Sequence, residues 1–166
     1  MMQNLGWGTV DQRVVEQAHR RLIAAPRQPA FLIKQAMSLN ASPSPAEVAA
    51  LLNKASIDFV IIGAHALAVH TGEPRATRDV DVVVDDVAAA VRVLKAIRPR
   101  TQILDLGLDV GKRIADARGG KLIDVLSHTG GVRGELFTHR MKVTLDGNKA
   151  SIPTVTAMLA RQAIGF

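Results

Sequence analysis

With 166 residues the chain has the length of one domain and can bury a sizeable core. It contains no cysteine, which excludes disulfides, thiolate metal sites and a cysteine nucleophile, and fits a cytoplasmic protein. A formal net charge of +6 favours a polyanionic partner, whereas 3% aromatic content with no tyrosine argues against stacking platforms for single-stranded nucleic acid.

The first residues carry neither a basic nor an apolar leader, and no apolar run approaches a membrane span, so no membrane partner is expected. Residues 9–25 read as an amphipathic helix with Val14, Ala18 and Leu22 on one face, ended by Pro26 and Pro29. Residues 30–37 suit a second short helix, and SLNASPSP reads as a loop. Ser44-Pro45-Ala46-Glu47 then opens a helix: serine as N-cap, proline in the first turn and glutamate three residues after the cap. It runs to about Ala55 and should bury Val48, Leu51 and Leu52. A first strand, 58–62, stops at Gly63; a short helical stretch and an Arg-x-Thr-Arg turn lead to a second strand, 79–84. Asp85 or Asp86 can cap a helix over 87–97, closed by Pro99. Gly119-Gly120 between RIADAR and KLIDVLS predicts a two-residue hairpin, and a second hairpin turns at Asp146-Gly147-Asn148. TVTAMLARQAIGF reads as a final short helix. The expectation is an α/β domain over 45–166, a mixed sheet flanked by helices, preceded by a helical N-terminal extension over 1–44.

Chemistry concentrates between Ile62 and Asp86. Asp79 and Asp81, spaced i, i+2 on a strand, point to one side about 7 Å apart, which suits gripping one or two hard divalent cations. Gly63 and Ala64 should open a helix whose backbone N–H groups, aided by the helix dipole, receive phosphate oxygens. Arg75 and Arg78 flank the approach to the second strand, and arginine stays charged and can engage phosphate with two parallel hydrogen bonds. His65 follows the turn closely, and Thr77 suits fixing the second turn. Asp124 lies among apolar neighbours on a predicted strand, where a lone carboxylate costs several kcal/mol of desolvation (on the order of 2–7) unless paired or metal-bound.

Gly63, Ala66, Leu67, His70, Gly72, Arg75, Thr77, Asp79 and Asp81 together resemble the signature of the nucleotidyltransferase superfamily, the DNA polymerase β-like fold. The likeness is greatest to a bacterial branch that includes AbiEii-type toxins. Two departures stand out: Ala64 where the branch has a second glycine or a serine, and Thr71 as an extra residue before Gly72. The resemblance implies that Asp79 and Asp81 bridge two Mg²⁺ ions and that Asp124 ligates the catalytic one and helps deprotonate the attacking hydroxyl. It implies Gly63, Ala64, His65, Arg75 and Thr77 around an NTP, and transfer of a nucleoside monophosphate to an acceptor hydroxyl with release of pyrophosphate. Three close carboxylates repel, so at least one should have a raised pKa. Expected partners are the NTP, a tRNA or other RNA acceptor, and an antitoxin protein if the toxin context applies. The competing readings are an aminoglycoside-type adenylyltransferase and a degenerate nucleotide- or partner-binding module.

Overall fold

The first helix is built as its sequence dictates. Glu47 N–H donates to Ser44 Oγ (3.1 Å) and Ser44 N–H to Glu47 Oε2 (2.7 Å), which satisfies two donors that a helix start leaves orphaned. The resulting α1, Pro45–Lys54, buries Ala46, Val48, Ala49 and Leu52, while Leu51 is only partly buried against the same core. The computed structural model describes residues 42–73 and 77–163. The helices expected over 9–25 and 30–37, and Arg75, lie outside the described residues.

From α1 the chain enters β1, Phe59–Ile62, then α2, Gly63–Thr71, β2, Val80–Val84, and α3, Val87–Leu94, which runs into a 3₁₀ turn over Lys95–Ile97. Asp86 caps α3 by accepting from Ala89 N–H at 2.9 Å. Next come β3, Gln102–Asp105, β4, Gly111–Ala115, β5, Lys121–Ser127, α4, Gly131–Thr138, the hairpin strands β6, Arg140–Leu145, and β7, Asn148–Pro153, and α5, Val155–Ala163. Neither β3 nor α4 has a counterpart among the sequence-predicted elements.

Five strands form a mixed sheet in the order β1-β2-β5-β4-β3. β2 and β5 run parallel; the other neighbours are antiparallel. The parallel pair puts Asp81 beside Asp124 in direct register. The sheet separates two cores, and strand alternation distributes residues between them. Phe59, Ile61, Val80, Val82, Ile123 and Val125 join Val48, Leu52 and Leu94 on one side. Val60, Ile62 and Val83 pack with Leu136 and Ala157 on the other. All four residues of β1 are buried for this reason.

The connection from β4 to β5 departs from the expected two-residue turn. It spans residues 116–120, shaped by Asp116 Oδ1, which accepts from the backbone N–H groups of Arg118 and Gly120, both at 2.8 Å. Beyond it the register shifts: Ile114 pairs with Ile123, but Ala115 pairs with Lys121, leaving Leu122 as an extra residue in a β-bulge. The second hairpin turns tightly, with Leu145 opposite Asn148 and both Asp146 (φ 47°) and Gly147 (φ 81°) left-handed, as an Asp-Gly turn of this kind requires.

Candidate functional site

β2 and β5 present Asp81 and Asp124 as register neighbours on the face opposite Val82 and Val125, and Asp79, just ahead of β2, lies two residues from Asp81 on the same side. All three carboxylates converge on one cation, the ammonium of Lys121. Its Nζ lies 2.7 Å from Asp79 Oδ2, 2.8 Å from Asp81 Oδ1 and 3.1 Å from Asp124 Oδ2. Plain alternation along β5 would send Lys121 to the face opposite Asp124, three residues on. The bulge at Leu122 resets the phase and aims Lys121 at the aspartates. Arg113, directly across from Asp124 on β4, adds a two-pronged pair: Nε donates to Oδ1 (2.7 Å) and Nη2 to Oδ2 (3.0 Å).

This arrangement reverses the expected electrostatics. Hydrogen bonding from Lys121 holds Asp79 below the usual carboxylate range against the opposing effect of burial, and Thr77 assists. Burial pushes Asp124 up, but hydrogen bonds from Arg113 and Lys121 outweigh it and leave Asp124 lowered as well. The expected raised carboxylate is therefore absent at Asp79 and Asp124: repulsion among the aspartates is answered by two cationic side chains, neither of which sequence reasoning had placed at the site. For Lys121 burial favours the neutral amine, yet its three carboxylate partners prevail and raise its pKa.

The remaining sequence-predicted residues fall around this cluster. α2 starts at Gly63 with no side-chain cap on its first turn, so its leading N–H groups are left for another acceptor. Gly63 has φ 72°, and a Cβ there would stand 2.8 Å from Asp81 Oδ2, so the helix start abuts the aspartate cluster. Ala64 follows it in the same first turn. Thr77 Oγ1 donates to Asp79 Oδ1 at 3.0 Å, orienting that carboxylate. His65 Nε2 lies 3.0 Å from the Asp79 carbonyl oxygen; burial lowers the pKa of this imidazole, so the neutral ring donates there and props the approach to β2. His70 is buried and its Nε2 donates to the Pro153 carbonyl (2.7 Å), tying α2 to β7. Arg78 is exposed. Arg75, the expected triphosphate ligand, lies outside the described residues.

The donor set suits a hard divalent cation, since three carboxylate oxygens already surround a single positive nitrogen. The spacing is that of an ammonium. Among the described residues no group of three acidic, histidine or cysteine side chains is drawn together as a metal ion needs. Mg²⁺ takes oxygens at about 2.0–2.1 Å, so holding it would require the carboxylates to close in and exchange their partners. Among the described residues no helix is long and apolar enough to cross a membrane. The chain matches no family model and no curated protein at a significant level.

Proposed function

We propose that the chain is a Mg²⁺-dependent nucleotidyltransferase of the polymerase β-like fold, moving a nucleoside monophosphate from an NTP to an acceptor hydroxyl with release of pyrophosphate. One observation carries the reading: Asp81 and Asp124 on two neighbouring parallel strands, and Asp79 just ahead of one of them, converge on a single positive charge directly beside an uncapped helix start. Asp79, Asp81 and Asp124 would hold Mg²⁺, which supplies Lewis-acid stabilisation of the charge developing on the phosphoryl oxygens.

The chain's own residues divide the remaining work. The N–H groups at Gly63 and Ala64 receive triphosphate oxygens, and the missing Cβ of Gly63 lets the backbone come close to Asp81. Thr77 and His65 hold Asp79 in place from its side chain and its carbonyl, respectively. Asp124, kept ionised by Arg113 and Lys121, is a poor proton acceptor while those partners remain, so its part is to fix charge beside Asp81. An RNA acceptor is consistent with the net charge of +6, and an antitoxin partner rests on the resemblance to AbiEii-type toxins.

A second reading, a nucleotide-binding module without turnover, is favoured by one feature: Lys121 or Arg113 already pairs with every carboxylate of the cluster. Incubation with each α-phosphate-labelled NTP and Mg²⁺, offered total RNA, protein extract or aminoglycosides in separate reactions, distinguishes them. Mg²⁺-dependent label on one acceptor pool supports transfer. Tight NTP binding with no label on any pool supports the module.

A further inference from the structure

We propose that Lys121 is a tethered occupant of the cation position: its ammonium holds the three aspartates together in the metal-free protein and must leave before a divalent ion can enter. The inference rests on the nucleotidyltransferase reading and adds to it a residue that sets how much metal the site demands. Three features of the structure support it. First, one nitrogen touches all three carboxylates at 2.7–3.1 Å, so ammonium and metal would claim the same space. Second, the β-bulge at Leu122, between Lys121 and Asp124, turns toward the aspartates a side chain that plain alternation would turn away. Third, the Lys121 side chain retains 27% of its exposure, and its four-carbon stem gives it a path to solvent without backbone movement. Arg113 is not equivalent. It pairs in two-pronged fashion with Asp124 alone and leaves Asp79 and Asp81 unmatched. Without Lys121, five formal charges become three negative and one positive among four groups, and the metal-free cluster repels itself.

The test is titration of the full-length protein with Mn²⁺, followed by electron paramagnetic resonance in the absence of nucleotide, using wild type, Lys121→Met and Lys95→Met. Lys95 is exposed on the 3₁₀ turn after α3 and controls for the overall loss of one positive charge. Because the ion no longer has to displace three part-buried ion pairs, Mn²⁺ binding is predicted to be at least ~10-fold tighter in Lys121→Met, with Lys95→Met within about two-fold of wild type. Metal-free Lys121→Met should also melt below wild type and recover the difference when Mn²⁺ is added, which a merely structural lysine would not do. If Lys121→Met does not fold, the lysine Nζ proton signals of the wild type serve instead: a signal protected from exchange in the metal-free protein should be lost on adding Mg²⁺, and its persistence at saturating Mg²⁺ would overturn the proposal. Equal or weaker Mn²⁺ binding by Lys121→Met, with wild-type binding abolished by Asp81→Asn, would overturn the role of Lys121 and leave the nucleotidyltransferase reading standing. Failure of both wild type and Lys121→Met to bind Mn²⁺ would overturn both.

Discussion

Gly63→Ala isolates the contact between the α2 start and the aspartate cluster. The substitution has two separable effects. Gly63 has φ 72°, and a residue with a Cβ costs about 1–2 kcal/mol in that left-handed region. The added methyl would also stand 2.8 Å from Asp81 Oδ2, closer than packing tolerates. Asp81 can relieve the clash only by turning, which strains its 2.8 Å bond to Lys121. Both partners are little more than a quarter exposed, and such an ion pair contributes about 0.5–1 kcal/mol. Gly147→Ala is the reference: it shares the positive φ (81°) but its Cβ would meet nothing within 4 Å. Urea unfolding should give Gly63→Ala a loss of roughly 1.5–3 kcal/mol against about 1–2 for Gly147→Ala. In an Asp81→Ala background the excess at Gly63 should vanish, a coupling of about 0.5–1 kcal/mol in a double-mutant cycle. An unchanged cost of Gly63→Ala in that background would refute the reasoning, because the helix start would then not bear on Asp81.

Other consequences are local. Arg140 holds the Asp58 carboxyl below its ordinary value of 3.8 through hydrogen bonds of 2.7 and 2.8 Å. Its folded pKa being depressed, this contribution is present above about pH 4 and is lost as pH falls further; with Asp58 half exposed it is worth no more than about 1 kcal/mol. Asp58→Asn should therefore be less stable than wild type at pH 7 by thermal melting, and the difference should shrink steadily as pH is lowered below about 4. Ser44→Ala removes the cap of α1 and should cost about 1 kcal/mol in urea unfolding, with Glu47→Gln costing less. Arg75→Ala should weaken binding of an NTP in Mg²⁺, measured by calorimetry, while leaving the melting temperature within a degree or two (about 0.5 kcal/mol).

Local chemistry was legible where a few adjacent residues determine the outcome. The Ser44–Glu47 box, the Asp146-Gly147 turn and the Asp86 cap all formed as their residue types require. Burial chemistry alone says that Asp124, an aspartate in an apolar strand, needs a partner; that the partner lies on the Asp79–Asp81 side is an expectation of the family resemblance, and the parallel register of β2 and β5 places it there. What surrounds those aspartates was not legible. Reading Gly119-Gly120 as the turn would set Ala115, not Arg113, opposite Asp124; the longer Asp116-shaped loop and the bulge move the register. Period-two alternation likewise points Lys121 away from the site. That Asp79 and Asp124 are lowered rather than raised follows from these same two misplaced cations. The strand β3 escaped notice because all four of its residues are exposed at the sheet edge, so no burial alternation marks it. The helix α4 opens on Gly131 after Gly130, without a capping side chain or an acidic first turn.

The central claim is that the aspartate cluster and the α2 start form one site for a metal-bound triphosphate. A crystal structure of the full-length protein with Mg²⁺ and a non-transferable NTP analogue tests it most directly. The account predicts the triphosphate over the N–H groups of Gly63 and Ala64, with a cation in contact with Asp79 and Asp81. A nucleotide seated elsewhere, for instance in the groove between Asn53 and Lys142, with the three carboxylates still gathered on Lys121, would contradict it.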